Sequence, residues 1–107
     1  MSAEQIRKLN DTLRQTMPAG QVMFTSGVAA LPSDVLAMVV RKVATFNEFN
    51  GDNDPYGEHD CAMFEVAGQK FMFKIDYYDK DIKYGSEDPA SPEKTTRIMT
   101  IMRAEDY

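Results

Sequence analysis

The residues best equipped for chemistry lie in one stretch, NGDNDPYGEHD at 50–60. It holds Asp52, Asp54, Tyr56, Glu58, His59 and Asp60. Carboxylates beside an imidazole can bind a divalent cation, and His59, the only histidine, can serve as a general base. An EF-hand loop beginning at Asp52 is matched only in part. Asp54 and Gly57 fit its third and sixth positions. Tyr56 replaces an Asp or Asn, and Met63 falls where a bidentate Glu must close the cage. Zinc is poorly served by one His and one Cys. The expectation is therefore neither metal nor cofactor. No serine adjoins His59. The competing structural reading is that Asp and Asn close turns on nearby amides and that His59 makes a structural hydrogen bond.

A second group runs through KIDYYDKDIKY (74–84). Aromatic rings among lysines can stack bases. Here Asp76, Asp79 and Asp81 oppose a phosphate backbone, so Tyr78 and its acidic neighbours suit a protein interface better. Direct nucleic-acid binding is not expected. Glu87 and Asp88 continue the acidic run. Cys61 is the only cysteine, which excludes an intrachain disulfide and suits a reducing compartment. At the head of an apolar run it reads as a small buried side chain.

The elements that must position these groups follow from periodicity. Ser2 and Gln5 fit a capping box, and Ile6, Leu9, Leu13 and Met17 recur at helical spacing, giving a helix over 3–16 that Pro18 and Gly20 end. QVMFTS (21–26) is a short strand and Val28–Leu31 a turn. Pro32-Ser33-Asp34 opens a second helix over 33–48, with Val35, Leu36, Val39, Val40, Val43 and Phe46 on one face. Residues 61–66 and 70–78 form a hairpin around Ala67-Gly68-Gln69. Phe71, Phe73, Ile75 and Tyr77 share its core face. Residues 79–94 are a long loop, 95–103 a last strand and 104–107 a tail. Met99 and Met102 fall on opposite faces of that strand, so one of them is expected at the surface. The order α-β-α-β-β-β predicts an α+β two-layer sandwich, with two helices on one face of a four-stranded, mostly antiparallel sheet.

A chain of 107 residues, 43% hydrophobic and 27% charged, suits a single globular domain over 1–107. No apolar run nears the ~20 residues of a membrane span, and the start has no secretory stretch, so the expectation is cytoplasmic. Net charge is −5. Residues 1–42 carry five basic and three acidic groups, whereas 43–107 carry seven and fourteen. That lopsided charge repels nucleic acid and anionic membrane and attracts a basic protein surface.

DNDPYGEHD (52–60), KIDYYD (74–79), YGSEDP (84–89) and TTRIMTIM (95–102), with IRKLNDTLRQT and VMFTSGVAALP, resemble a bacterial family catalogued as domain of unknown function 3768. Cys61 stands where that pattern leads one to expect an aromatic residue. The resemblance implies small cytoplasmic proteins of plasmids and integrating elements, near antirestriction-type genes, and brings no established activity. The function expected is a non-enzymatic acidic protein that inhibits a host defence complex, of anti-CRISPR or antirestriction type, by occupying a basic nucleic-acid groove. Its contact residues would be Asp52, Asp54, Tyr56, Glu58, His59, Asp60, Asp76, Tyr78, Asp79, Asp81, Glu87 and Asp88. The alternatives are a small metal- or His-dependent hydrolase built on 52–60, and an oligomeric regulatory module, a homodimer paired through the edge of the last strand.

Overall fold

A computed structural model describes residues 2–107. Helix α1 (Ser2–Thr16) is followed by strand β1 (Val22–Phe24), a one-turn helix α2 (Ser26–Ala29) and helix α3 (Ser33–Thr45). Strands β2 (Cys61–Val66), β3 (Gln69–Tyr78) and β4 (Thr96–Arg103) complete the sheet, and a 3-10 turn covers Ala104–Asp106. The fold is α+β, with a mostly antiparallel sheet. The turn expected at Val28–Leu31 is instead α2, which opens at Ser26, and Val28 is fully buried in the core.

The hairpin forms where the sequence places it. Ala67 and Gly68 both adopt positive φ, the conformation that matches a two-residue turn to strand twist, and Val66 pairs with Gln69. Alternation along β3 sends Phe71, Phe73 and Ile75 into the core with Ala62, Phe64 and Val66 of β2. Val39 and Val43 of α3 and Leu13 of α1 cover them. Helix α3 stops at Thr45, three residues short of expectation, because Phe46 turns to extended backbone. Its ring then meets Phe49 and Phe73 at 4.9 and 6.0 Å.

The sheet order is β1-β4-β3-β2, with β1 parallel to β4 and the other pairings antiparallel. The last strand is therefore central, and the edges are β1 and β2. Dimer pairing through the edge of β4 has no edge to use. Met99 and Met102 also depart from expectation, since both are buried. Met99 lies in the helix-covered core. Met102 is the register partner of Met72 on the opposite face, and Met72 is itself buried.

Antiparallel pairing brings the start of β2, the end of β3 and the start of β4 to one end of the sheet. The 50–60 loop and the 79–95 loop both emerge there. That end holds all twelve residues singled out from the sequence, or lies beside them.

Candidate functional site

The 50–60 loop is built from its own side chains. Asn50 Oδ1 accepts the amides of Asp52 and Asn53, and Asn53 Oδ1 accepts that of Asn50. Asp54 is buried, and its Oδ1 accepts the amides of Glu58 and His59. Those two bonds hold His59 at φ 56°, a left-handed conformation in which histidine is over-represented. Gly57, at φ 69°, turns its carbonyl to Arg7 of α1 at 3.1 Å.

His59 is then clamped on three sides. Its ring stacks on Phe49 with centroids 3.8 Å apart. Nδ1 lies 2.9 Å from Asp11 Oδ1, and Nε2 lies 3.6 Å from Asp54 Oδ2. Asp11 also pairs with Arg14 at 2.7 Å. Arg14 donates to the carbonyls of Val43 and Phe46, which satisfies the end of α3, and lies over Phe49 and Phe73. A hollow of about 530 Å³ opens beside Asp11, Arg14, Phe49 and His59.

A second polar network runs from this clasp under α1. Asn10, fully buried, donates from Nδ2 to the Glu58 carbonyl at 3.0 Å and to the Tyr77 hydroxyl at 2.8 Å. Tyr77 in turn donates to Glu58 Oε1 at 2.8 Å. Arg97 Nε donates to Asn10 Oδ1 at 3.0 Å, and a terminal nitrogen of Arg97 donates to the Pro89 carbonyl. Burial pushes the Tyr77 phenol above its usual range, and its bond to Glu58 adds to that. Burial pulls the Arg97 guanidinium below its own.

The candidate residues thus divide. Asp54, Glu58 and His59 face inward and hold the loop. Asp60 is half-buried, and its carboxyl is raised by burial and then by the charges of Glu58, Asp54 and Asp76. Asp76 pairs with Lys74 at 2.7 Å on the face opposite the helices. Tyr78 shares that face, partly buried. Asp79 accepts the Lys83 amide and closes its own turn. Asp52, Tyr56, Asp81, Glu87 and Asp88 remain exposed. The contact set expected from the sequence is therefore not presented to solvent as a whole. Its inward members satisfy buried amides and hydroxyls, which cost more unmet than solvated carboxylates gain.

Chemically, the site lacks a nucleophile–base pair. Both ring nitrogens of His59 face carboxylates. Thr45 lines the adjoining hollow but donates its hydroxyl to Arg41. Cys61, half-buried rather than buried, has its thiol raised by burial and by Asp60 and Asp54. Among the described residues no group of three or more His, Cys, Asp or Glu is arranged to hold a metal ion. No described helix is long and apolar enough to cross a membrane.

Asn10, Asp11, Arg14 and Arg97 were not singled out from the sequence. Asn10 and Arg14 sit in phase with Ile6, Leu9 and Leu13, and Arg97 in phase with Met99 and Ile101. A polar residue at an apolar phase was the available signal.

A family model matches residues 24–106. The chain belongs to the family described as Protein of unknown function (DUF3768). The matched span takes in the four loop and strand stretches on which the resemblance rests, with His59, Tyr77 and Arg97. It leaves out α1, which supplies Asn10, Asp11 and Arg14. No curated protein and no solved structure matches the chain.

Proposed function

We propose that this family member is a non-enzymatic binding protein that sets its acidic end against a basic protein surface, one that otherwise holds nucleic acid. The observation that carries the reading is the presentation of apolar and aromatic side chains among exposed acids. Tyr56, Ile82 and Tyr84 are 78%, 53% and 76% exposed. They stand on ordered turns, with Asp79 N bonded to Tyr84 O, Ile82 N to Asp79 O and Ser86 N to Tyr77 O. Asp52, Asp81, Glu87 and Asp88 surround them in sequence. Large side chains on preorganised loops lose little entropy on docking, and tyrosine is enriched at interfaces. Acidic neighbours add steering toward a cationic partner. The occupation of His59 by two carboxylates supports a role that needs no catalysis. The mobile-element setting implied by the resemblance makes a host defence complex, of anti-CRISPR or antirestriction type, the partner class to examine first.

The test compares the wild type with a variant neutralised at Asp52→Asn, Asp81→Asn, Glu87→Gln and Asp88→Asn. Each is offered purified nucleic-acid-binding defence complexes at low and high salt. The expected result is capture by the wild type that weakens with salt, displacement of bound nucleic acid, and loss of both in the variant. Salt-independent capture, equal capture by the variant, or turnover that disappears in His59→Ala would each defeat the reading.

A further inference from the structure

We infer that the hollow between α1 and the β3–β4 loop binds a small organic anion, received by Arg97. The hollow has a volume of about 300 Å³, at the lower end for small-molecule sites. The chain carries 17 acidic residues, yet none of them lines this hollow. Its charged walls are Lys80 and Arg97, both cationic. Leu9, Leu13, Pro18 and Pro92 give it an apolar side, and Gln21 adds an amide.

Arg97 is the decisive observation. It is 7% exposed, and a charge so buried ordinarily has a counter-ion. Among the described residues it has none within ion-pair distance. Its hydrogen bonds go to the neutral oxygens of Asn10 and Pro89, and its guanidinium lies 5.1 Å over the Tyr77 ring. Glu58, the acid of the same network, gives its carboxylate to Tyr77 instead. A guanidinium has five N–H donors in a planar fork, and the fork matches a carboxylate or a phosphate bidentately. An anion in the hollow would supply the missing charge, with Lys80 as a second contact. The apolar wall selects a ligand with a compact apolar body, so the class is an amphipathic carboxylate or phosphate monoester. Lys80 adjoins Asp81 of the proposed docking surface in the chain, but the hollow rests on Arg97 and is tested with small anions, so the two readings fail separately.

The test titrates the folded protein with benzoate, phenyl phosphate, inorganic phosphate and benzylamine, followed by calorimetry and heteronuclear NMR. The expected result is one saturable site for benzoate or phenyl phosphate, with the stronger of the two naming the anionic group. The Arg97 Nε–H resonance and the amides of 9–18 and 92–97 should move together. Benzylamine should not bind, and inorganic phosphate should bind more weakly. Arg97→Lys should weaken binding about tenfold or more, because the bidentate fork is lost. Lys80→Glu, at an exposed position, carries the same test if Arg97→Lys does not fold. No saturable binding of either aromatic anion overturns the inference. So does equal binding of benzylamine, preference for inorganic phosphate, resonance changes confined to another region, or unchanged affinity in the folded variants.

Discussion

Arg14 is 3% exposed and Arg97 7%, and the guanidinium of each lies over an aromatic ring. Their surroundings differ. Arg14 has a carboxylate at 2.7 Å from Asp11, and its other bonds close the end of α3. Arg97 has only neutral oxygens and a solvent-fed hollow. One guanidinium is therefore a structural fastening with its own counter-ion, although its buried Nε–H has no partner, and its removal strands the two carbonyls. The other carries a desolvation penalty that its protein partners offset incompletely. The comparison teaches that burial by itself does not say whether a charge serves the fold. The presence of a counter-ion does.

The contrast can be broken most directly by making the same substitution at both sites. Arg14→Met should cost about 3 kcal/mol, since it leaves the carbonyls of Val43 and Phe46 without their donor and Asp11 with His59 alone. Arg97→Met should cost about 1 kcal/mol, because losing an unpaired buried charge returns part of what the bonds to Asn10 and Pro89 contributed. Urea midpoints measure both, and equal costs would remove the distinction. Between these values, Asn10→Ala should cost about 2 kcal/mol, and it should couple more strongly with Arg97→Met, its direct partner, than with Arg14→Met.

The pH dependence sharpens the same picture. The folded Tyr77 phenol holds its proton more tightly than the unfolded one, whose pKa is about 10. The stability this brings is complete below that value and is lost as pH rises toward the folded one. Wild type should lose more stability than Tyr77→Phe between pH ~9 and ~11. The smallest effect belongs to the exposed acids. Asp52→Asn and Asp81→Asn should each shift stability by no more than about 0.5 kcal/mol in a thermal melt.

Local signals carried much of the architecture. Helical spacing placed α1 and α3, alternation placed the core face of β3, and Ala67-Gly68 marked the hairpin, because each depends on neighbours in sequence. The parallel seat of β1 beside β4 depends on partners far apart in the chain, Val22 and Met99 among them, and no local pattern encodes it. The same limit governed the site. Asp54 and Glu58 are legible as acids near His59, but Glu58 is turned inward by Asn10 and Tyr77, from other elements, while Asp54 is held by the amides of its own loop. Asp52, Tyr56 and Asp81 are exposed, since nothing distant competes for them.

The middle position of β4 also sets an order of events during synthesis. The β2–β3 hairpin can close as soon as it leaves the ribosome, because its partners are adjacent. Strand β1, made much earlier, has no seat until β4 is translated, so nascent chains carry Met23 and Phe24 unpaired for most of their production. A message cut short before Thr96 would leave β1 without its strand partner and the core without Met99 and Ile101.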